Sequence, residues 1–287
     1  MSLYLQAFSL PDGDMEFSHA LEIKRTCYDS YYPFGVLSAT GLTEATFEPI
    51  TILCGGNGSG KTTLLNVIAE KLGVKRQSLY NRSSFLEDYL ALCQAEMAAP
   101  LPENSRIITS DDVFDFMLNL RAVNQGIDRR REEMYDEYMD AKYSDFHLRS
   151  MADYERLRQV NDSRRLTQSR YVRKNLKNNV REHSNGESAI LYFKDQVTEN
   201  GLFLLDEPEN SLSPQKQMEL CQYLEEAVRF YGCQLIIATH SPFLLALRGA
   251  RVYDLDADPA RVARWTEIPN VKAYYEFFRQ HEKEFYP

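Results

Sequence analysis

The sequence predicts an α/β fold: a core with a mainly parallel sheet, an antiparallel β region near the N-terminus, and a helical subdomain inserted into the core. Three observations carry that expectation. Gly55-Gly56-Asn57-Gly58-Ser59-Gly60-Lys61-Thr62 fits the phosphate-loop pattern G-x-x-x-x-G-K-[ST] at every defined position, between a buried strand and a helix. Apolar segments of strand length alternate with helix starts, the pattern of a parallel sheet. Residues 74–180 turn helical and highly charged. A single domain over 1–287 with a helical insertion at 75–182 is expected.

Taken in order, residues 3–8 and 21–26 read as short strands, with Pro11-Asp12-Gly13 turning between them. Residues 48–54 form a buried strand that runs straight into the glycine loop. Over 62–72, Leu64, Leu65, Ile68 and Leu72 recur at helical spacing, and Gly73 stands where a C-cap belongs. Within the polar stretch, 111–120 is amphipathic and 128–143 is a string of charges and tyrosines. Residues 164–181 are locally basic through Arg164, Arg165, Arg170, Arg173, Lys174, Lys177 and Arg181. No heptad register is sustained there. The core resumes with a strand at Gly201–Asp206. Ser213-Pro214 then opens a helix in the favoured N-cap and N1 arrangement. A buried strand at 234–239 is followed by a second such start, Ser241-Pro242. A last strand at 251–256 and an amphipathic helix at 271–285 complete the chain.

Composition excludes several classes. With 44% hydrophobic and 26% charged residues the chain is an ordinary globular one, neither disordered nor fibrous. No apolar run approaches the ~20 residues of a spanning helix, and the start shows no signal peptide, so no membrane insertion is expected. Five scattered cysteines without a C-x-x-C pair argue against a zinc site or a disulfide framework and suit a reducing cytoplasm. A net charge of −9 disfavours indiscriminate nucleic-acid binding, while leaving room for a local basic patch.

The chemistry follows from the loop. Gly55, Asn57, Gly58, Ser59 and Gly60 let backbone N–H groups converge on phosphate oxygens, reinforced by the N-terminal end of the next helix. Lys61 reaches the β- and γ-phosphates, the Thr62 hydroxyl ligates Mg²⁺, and Thr63 bonds the α-phosphate. A chance match to the pattern in a chain this long is on the order of one in a hundred. Asp206 ends an apolar strand, as expected of a carboxylate that holds Mg²⁺ through water. Glu207 beside it is placed to polarise the attacking water as general base. Without the loop, Asp206 and Glu207 would read equally well as a strand end and a turn. His240 follows a second apolar strand, where a neutral imidazole can bond the γ-phosphate or the attacking water. A lone histidine there is more often structural, and its Thr-His-Ser-Pro setting tips the reading toward function.

His183-Ser184-Asn185-Gly186-Glu187-Ser188 stands just before an apolar helix. Alone, Ser-x-Gly-Glu is also what a plain N-cap looks like. Placed shortly before the Asp206 strand, it resembles the signature loop of ABC-type ATPases, and Glu209-Asn210-Ser211-Leu212-Ser213 falls where that superfamily has its D-loop. The resemblance extends over 47–253. More narrowly, the chain resembles small stand-alone bacterial predicted ATPases with the AAA label, within the P-loop NTPase superfamily. The carrying segments are Phe47-Glu48-Pro49-Ile50-Thr51, the signature loop, Leu204-Leu205-Asp206-Glu207-Pro208-Glu209 and Ile236-Ile237-Ala238-Thr239-His240-Ser241-Pro242. It implies an ATPase that uses ATP and Mg²⁺ as a head-to-tail homodimer sandwiching two nucleotides. Ser184 and Gly186 would complete the opposite site, with hydrolysis opening the clamp.

The chain departs from transporter ATPases at His183, where they usually carry leucine, and at Asn185, where they carry glycine. Glu187 in place of their glutamine is closer to SMC-like repair ATPases. No glutamine marks the Q-loop; Ser110 or Asp111 is the candidate there. Tyr31, Tyr32 and Phe34 are candidates for stacking on adenine, and core packing explains them equally well. Two targets fit the clamp. One is a nucleic acid, met by the basic stretch 164–181 with Tyr171 inside it. The other is an effector protein, as in a regulatory or toxin-controlling ATPase, met by the acidic, tyrosine-rich stretch 132–146. The energy subunit of a transporter fits less well, because no membrane segment is encoded and the signature departs.

Overall fold

The computed structural model describes residues 2–22, 27–146, 153–176 and 184–285. They fall into two compact units, one formed by Met1–Phe114 with Asn185–Pro287 and the other by Asp115–Ser184. The strands are β1 (Leu5–Ser9), β2 (Glu44–Thr46), β3 (Ile50–Cys54), β4 (Gln94–Met97), β5 (Arg106–Thr109), β6 (Gly201–Asp206), β7 (Cys233–Ala238), β8 (Arg251–Asp254) and β9 (Arg261–Ala263). The helices are α1 (Gly13–Glu22), α2 (Lys61–Leu72), α3 (Leu86–Leu92), α4 (Ser110–Tyr143), α5 (Tyr154–Arg165), α6 (Gln168–Asn175), α7 (Asn185–Gln196), α8 (Pro214–Phe230), α9 (Pro242–Leu245), α10 (Pro269–Gln280) and α11 (Glu282–Phe285).

In the first unit a six-stranded sheet has the order β5-β6-β7-β3-β8-β9, parallel throughout except for the β8–β9 pair. Its central strands are near-continuous apolar runs, such as Leu202–Leu205 and Leu235–Ala238, because helices cover both faces. Leu53, Leu204 and Ile236 are fully buried, together with Leu64, Leu65 and Ile68 of α2. A second sheet, β2-β1-β4, is antiparallel. Buried Gln234 on β7 ties the two sheets: its Oε1 accepts from the N–H groups of Tyr4 (2.7 Å) and Leu5 (2.9 Å), and its Nε2 donates to Leu5 O (2.8 Å). Ala238 pairs with both Leu53 and Asp206, so β3, β6 and β7 end level. Three loops are thereby set side by side at the carboxyl edge of the sheet, where ligands of open α/β sheets bind.

Several elements differ from expectation. Pro11-Asp12-Gly13 is a helix start instead of a hairpin turn: Asp12 Oδ1 accepts from Met15 N (2.8 Å), and α1 runs to Glu22. The expected strand at 21–26 thus begins inside a helix, and its remainder, 23–26, lies outside the described residues. β4 and β5 interrupt the stretch read as helical, and both lie in the first unit along with α3. The expected insertion at 75–182 therefore spans those elements as well as the second unit. Four residues are too few to show a strand period, and β5 is recognisable only by its pairing with β6. The terminal helix breaks at His281 into α10 and α11. In the second unit, Met134 and Tyr138 of α4 pack with Tyr171 and Val172 of α6. Among the described residues, no helix is long and apolar enough to cross a membrane.

Candidate active site

The loop between β3 and α2 is built by close approach. A side chain at Gly55 would collide with that of Ser59, and Gly60 has φ +89° with Leu37 against its Cα, so neither position accepts another residue without strain. Asp256 anchors the start of the loop, its Oδ2 accepting from Gly56 N (2.7 Å). Lys61 is buried and folds over the loop, donating from Nζ to Gly55 O (2.7 Å) and Gly56 O (2.9 Å). Its ammonium group has three donors, so one remains for a ligand. Ser59 Oγ is buried without a hydrogen-bond partner, an orphan in a cradle of N–H groups at a helix N-terminus. That arrangement fits a phosphate chain.

Thr62 Oγ1 donates to Asp206 Oδ1 (3.1 Å), bringing two hard oxygen ligands together across the sheet edge. Burial pushes the Asp206 carboxyl up to about 6, against the lowering bond from Thr62, with Glu207 adding to the rise. A dication beside these oxygens would reverse that penalty, so Thr62 and Asp206 suit Mg²⁺. Because the pKa is raised above its ordinary value of 3.8, the stability contributed by Asp206 is present below that value and lost as pH rises through about 6. Asp206→Asn should therefore raise the Tm of the nucleotide-free protein at about pH 8 and lose most of that advantage at about pH 4. Equal gains at both values would remove the argument.

Glu207 has a left-handed backbone, φ +46°, as does Ser211 at φ +66°, conformations that non-glycine residues adopt at strained functional turns. Asn210 Nδ2 donates to Glu207 Oε2 (3.0 Å), fixing the carboxylate at the mouth of a 310 Å³ cavity lined by the loop residues 57–63. His240 lies close by, its Nδ1 3.9 Å from Glu207 Oε1 and 3.5 Å from Glu209 Oε1, with the ring half exposed. Glu209 itself is buried and acts as a clasp. Its Oε1 accepts from Thr239 Oγ1 (2.5 Å), His240 N (3.0 Å) and Ser241 N (3.2 Å). Ser241 Oγ donates to Gln217 Oε1 (2.6 Å), and Gln217 Nε2 to Leu212 O (3.0 Å), closing a ring from the turn after β7 to the loop after β6.

A second cavity, of 530 Å³, shares Thr62 and Thr63 with the first and adds Asp206, Ser110, Asp111, Tyr32 and Arg76. Both Q-loop candidates thus reach the site. Of the aromatic candidates, Tyr32 does so, donating from Oη to Thr63 Oγ1 (3.2 Å). Tyr31 packs on Phe85, and Phe34 lies between His19 and Tyr89. A further cavity, of 690 Å³, lies among α8, α9 and Trp265 and includes none of the loop residues.

Lys61, Thr62, Thr63, Asp206, Glu207 and His240 are therefore gathered at one edge. Gly186 is not among them: its α-carbon faces Ser211, Leu212 and the stem of Lys216, and it lines neither cavity beside the loop. Ser184 precedes α7 in the chain and is exposed, and His183 lies outside the described residues. Sequence reasoning missed Asp256 and Arg76 and did not single out Glu209. Asp256 is 200 positions from the glycine it holds, and nothing local marks it. Arg76 donates to Asn66 Oδ1 (2.5 Å), while its buried Nε and Nη1 have no hydrogen-bond partner.

Residues 131–246 match the family described as "AAA domain, putative AbiEii toxin, Type IV TA system". No curated protein matches the chain. Among solved structures, it is similar to cbiO1 from Clostridium perfringens, part of the ABC transporter complex cbiONQ, with 18% identity over 83% of this chain and 85% of that one and a TM-score of 0.39. It is also similar to the Smc head domain with an extended coiled coil bound to the C-terminal domain of ScpA, derived from Pyrococcus furiosus. There the identity is 12% over 82% of this chain and 95% of that one, and the TM-score is 0.41. A dimeric ATP-binding cassette in a post-hydrolysis state, bound to ADP and Pi, is similar at 14% identity over 78% and 90% of the two chains, with a TM-score of 0.36.

Proposed function

We propose that this chain, a P-loop ATPase of the ABC type, works as an ATP-driven clamp in which two copies face each other head to tail. The observation that carries this reading is the separation of the two half-sites. Gly186 rests against Ser211 and Leu212, away from the cavity where Lys61 and Glu207 meet. One copy alone thus offers the phosphates the loop, and offers the signature segment to something else. A second copy turned head to tail satisfies both needs.

In this reading Lys61 and the loop N–H groups hold the phosphate chain, and Thr62 and Asp206 hold Mg²⁺. Bound Mg²⁺ offsets the charge that develops on the transferred phosphoryl group. Glu207 orients the attacking water and receives its proton on the carboxylate, supported by Asn210. His240 lies beside Glu207, within reach of the same water. Ser184 and Gly186 of the second copy close the site, and loss of the γ-phosphate releases them. The output goes to a nucleic acid or a partner protein.

The test is oligomeric state by light scattering. Glu207→Gln with saturating Mg-ATP should be dimeric, and adding Ser184→Arg should return it to monomers that still bind nucleotide. A Glu207→Gln protein that stays monomeric with ATP bound sinks the clamp. A second reading, an ATPase that controls a toxin or another protein, is favoured by the description of the family matched at 131–246. The stretch 132–146 expected to dock such a partner gives limited support, since Met134, Tyr138 and Ala141 are buried.

A further inference from the structure

Residues 153–176 hold seven cations against three carboxylates, in a chain whose formal charge is −9. All seven cations are exposed. The apolar positions decide which sides of the two helices are left out: α5 buries Val160 and Ser163, and α6 buries Tyr171 and Val172. Arg158 and Arg165 then share a face of α5 two turns apart, and Arg170, Arg173 and Lys174 flank the buried pair of α6. The helices meet at Asp162, whose carboxylate takes Lys174 Nζ at 2.6 Å. The Lys174 bond holds this carboxyl below its usual value, with smaller lowering from the charges of Arg158 and Arg165.

An ordinary solvated helix offers a contrast within the same unit. On α4, Arg129, Arg130 and Arg131 are each paired with a carboxylate one turn away, Glu133 or Asp128. Among the described residues, Arg158, Arg165, Arg170 and Arg173 have no such partner. Their charge is left for a ligand. Tyr171, within the stretch, is buried, whereas Tyr154 at the start of α5 is exposed, four residues before Arg158.

We infer that the exposed face of α5 and α6 binds the phosphate backbone of a nucleic acid without reading its sequence. This names the partner class that the clamp reading leaves open, and in that sense rests on it. Binding is measured without nucleotide, by anisotropy of a labelled random-sequence DNA duplex of about three helical turns. With about four phosphate contacts, log K should fall against log[salt] with a slope of about −3 to −4. Arg158→Glu with Arg165→Glu, and separately Arg170→Glu with Arg173→Glu, should each weaken binding roughly tenfold or more and flatten the slope. The corresponding Gln variants, with an unchanged circular-dichroism spectrum, should show a smaller loss, which separates lost contacts from unfolding. Variants that bind as the wild type does, affinity indifferent to salt, or equal binding of polyglutamate or anionic vesicles would overturn the inference. Either result leaves ATP-dependent dimerisation of Glu207→Gln to be judged separately.

Discussion

Glu207→Gln is expected to bind Mg-ATP with near wild-type affinity and to turn it over about 10²–10⁴-fold more slowly, the usual worth of a positioned general base. The substitution is nearly isosteric, and the carboxamide oxygen can still accept from Asn210 Nδ2, which holds Glu207 Oε2 at 3.0 Å. Charge and basicity are lost, while the left-handed turn and the mouth of the cavity remain. Single-turnover hydrolysis of radiolabelled ATP beside equilibrium binding separates these effects. A variant within threefold of wild-type turnover (about 0.65 kcal/mol in barrier) would remove Glu207 from the chemistry. Loss of binding and turnover together would instead assign it to the ground-state pocket.

Lys61→Ala should lose at least about a hundredfold in ATP affinity, equal to about 2.7 kcal/mol. Charge-assisted hydrogen bonds of a lysine to phosphate oxygens supply a loss of that size. The protein already holds Nζ in place through the carbonyls of Gly55 and Gly56, so the wild-type loop meets its ligand with the lysine oriented. Removing the side chain also strips those carbonyls of a donor, so some loss of Tm is expected. Lys61→Met keeps the aliphatic stem and controls for packing. Calorimetric titration with ATP is the measurement, and wild-type affinity in both variants would refute the assignment of Lys61 to phosphate.

Much of the core was legible because its signals are local. The glycine loop is a contiguous pattern, β6 and β7 are apolar runs buried on both faces, and Ser213-Pro214 and Ser241-Pro242 announce helices in two residues. The misreadings occur where tertiary partners decide. Residues 21–26 read as a short strand, whereas α1, which runs to Glu22, is capped by Asp12 and buries Glu16 to accept from Gly35 N and Ser38 Oγ. β2 and β4 are short strands that acquire meaning only by pairing with β1. At the site, Lys61, Thr62, Thr63, Asp206, Glu207 and His240 stand in contiguous motifs and lie at one sheet edge with Gly186 apart from them, while Asp256, Arg76 and the clasping role of Glu209 depend on neighbours remote in sequence.

The ring closed by Glu209 means that the turn carrying His240 has little slack. Its backbone N–H, the neighbouring hydroxyl of Thr239 and the N–H of Ser241 all end on one buried oxygen, and Gln217 fastens the same turn to Leu212, which touches Gly186. A continuous hydrogen-bonded path thus links the histidine turn to the loop after β6, beside Gly186. In a head-to-tail pair each subunit would then behave as a stiff lever, with one arm in its own nucleotide and the other in its neighbour's. The two hydrolysis events would be geared together, each one's timing set partly by what the other site holds.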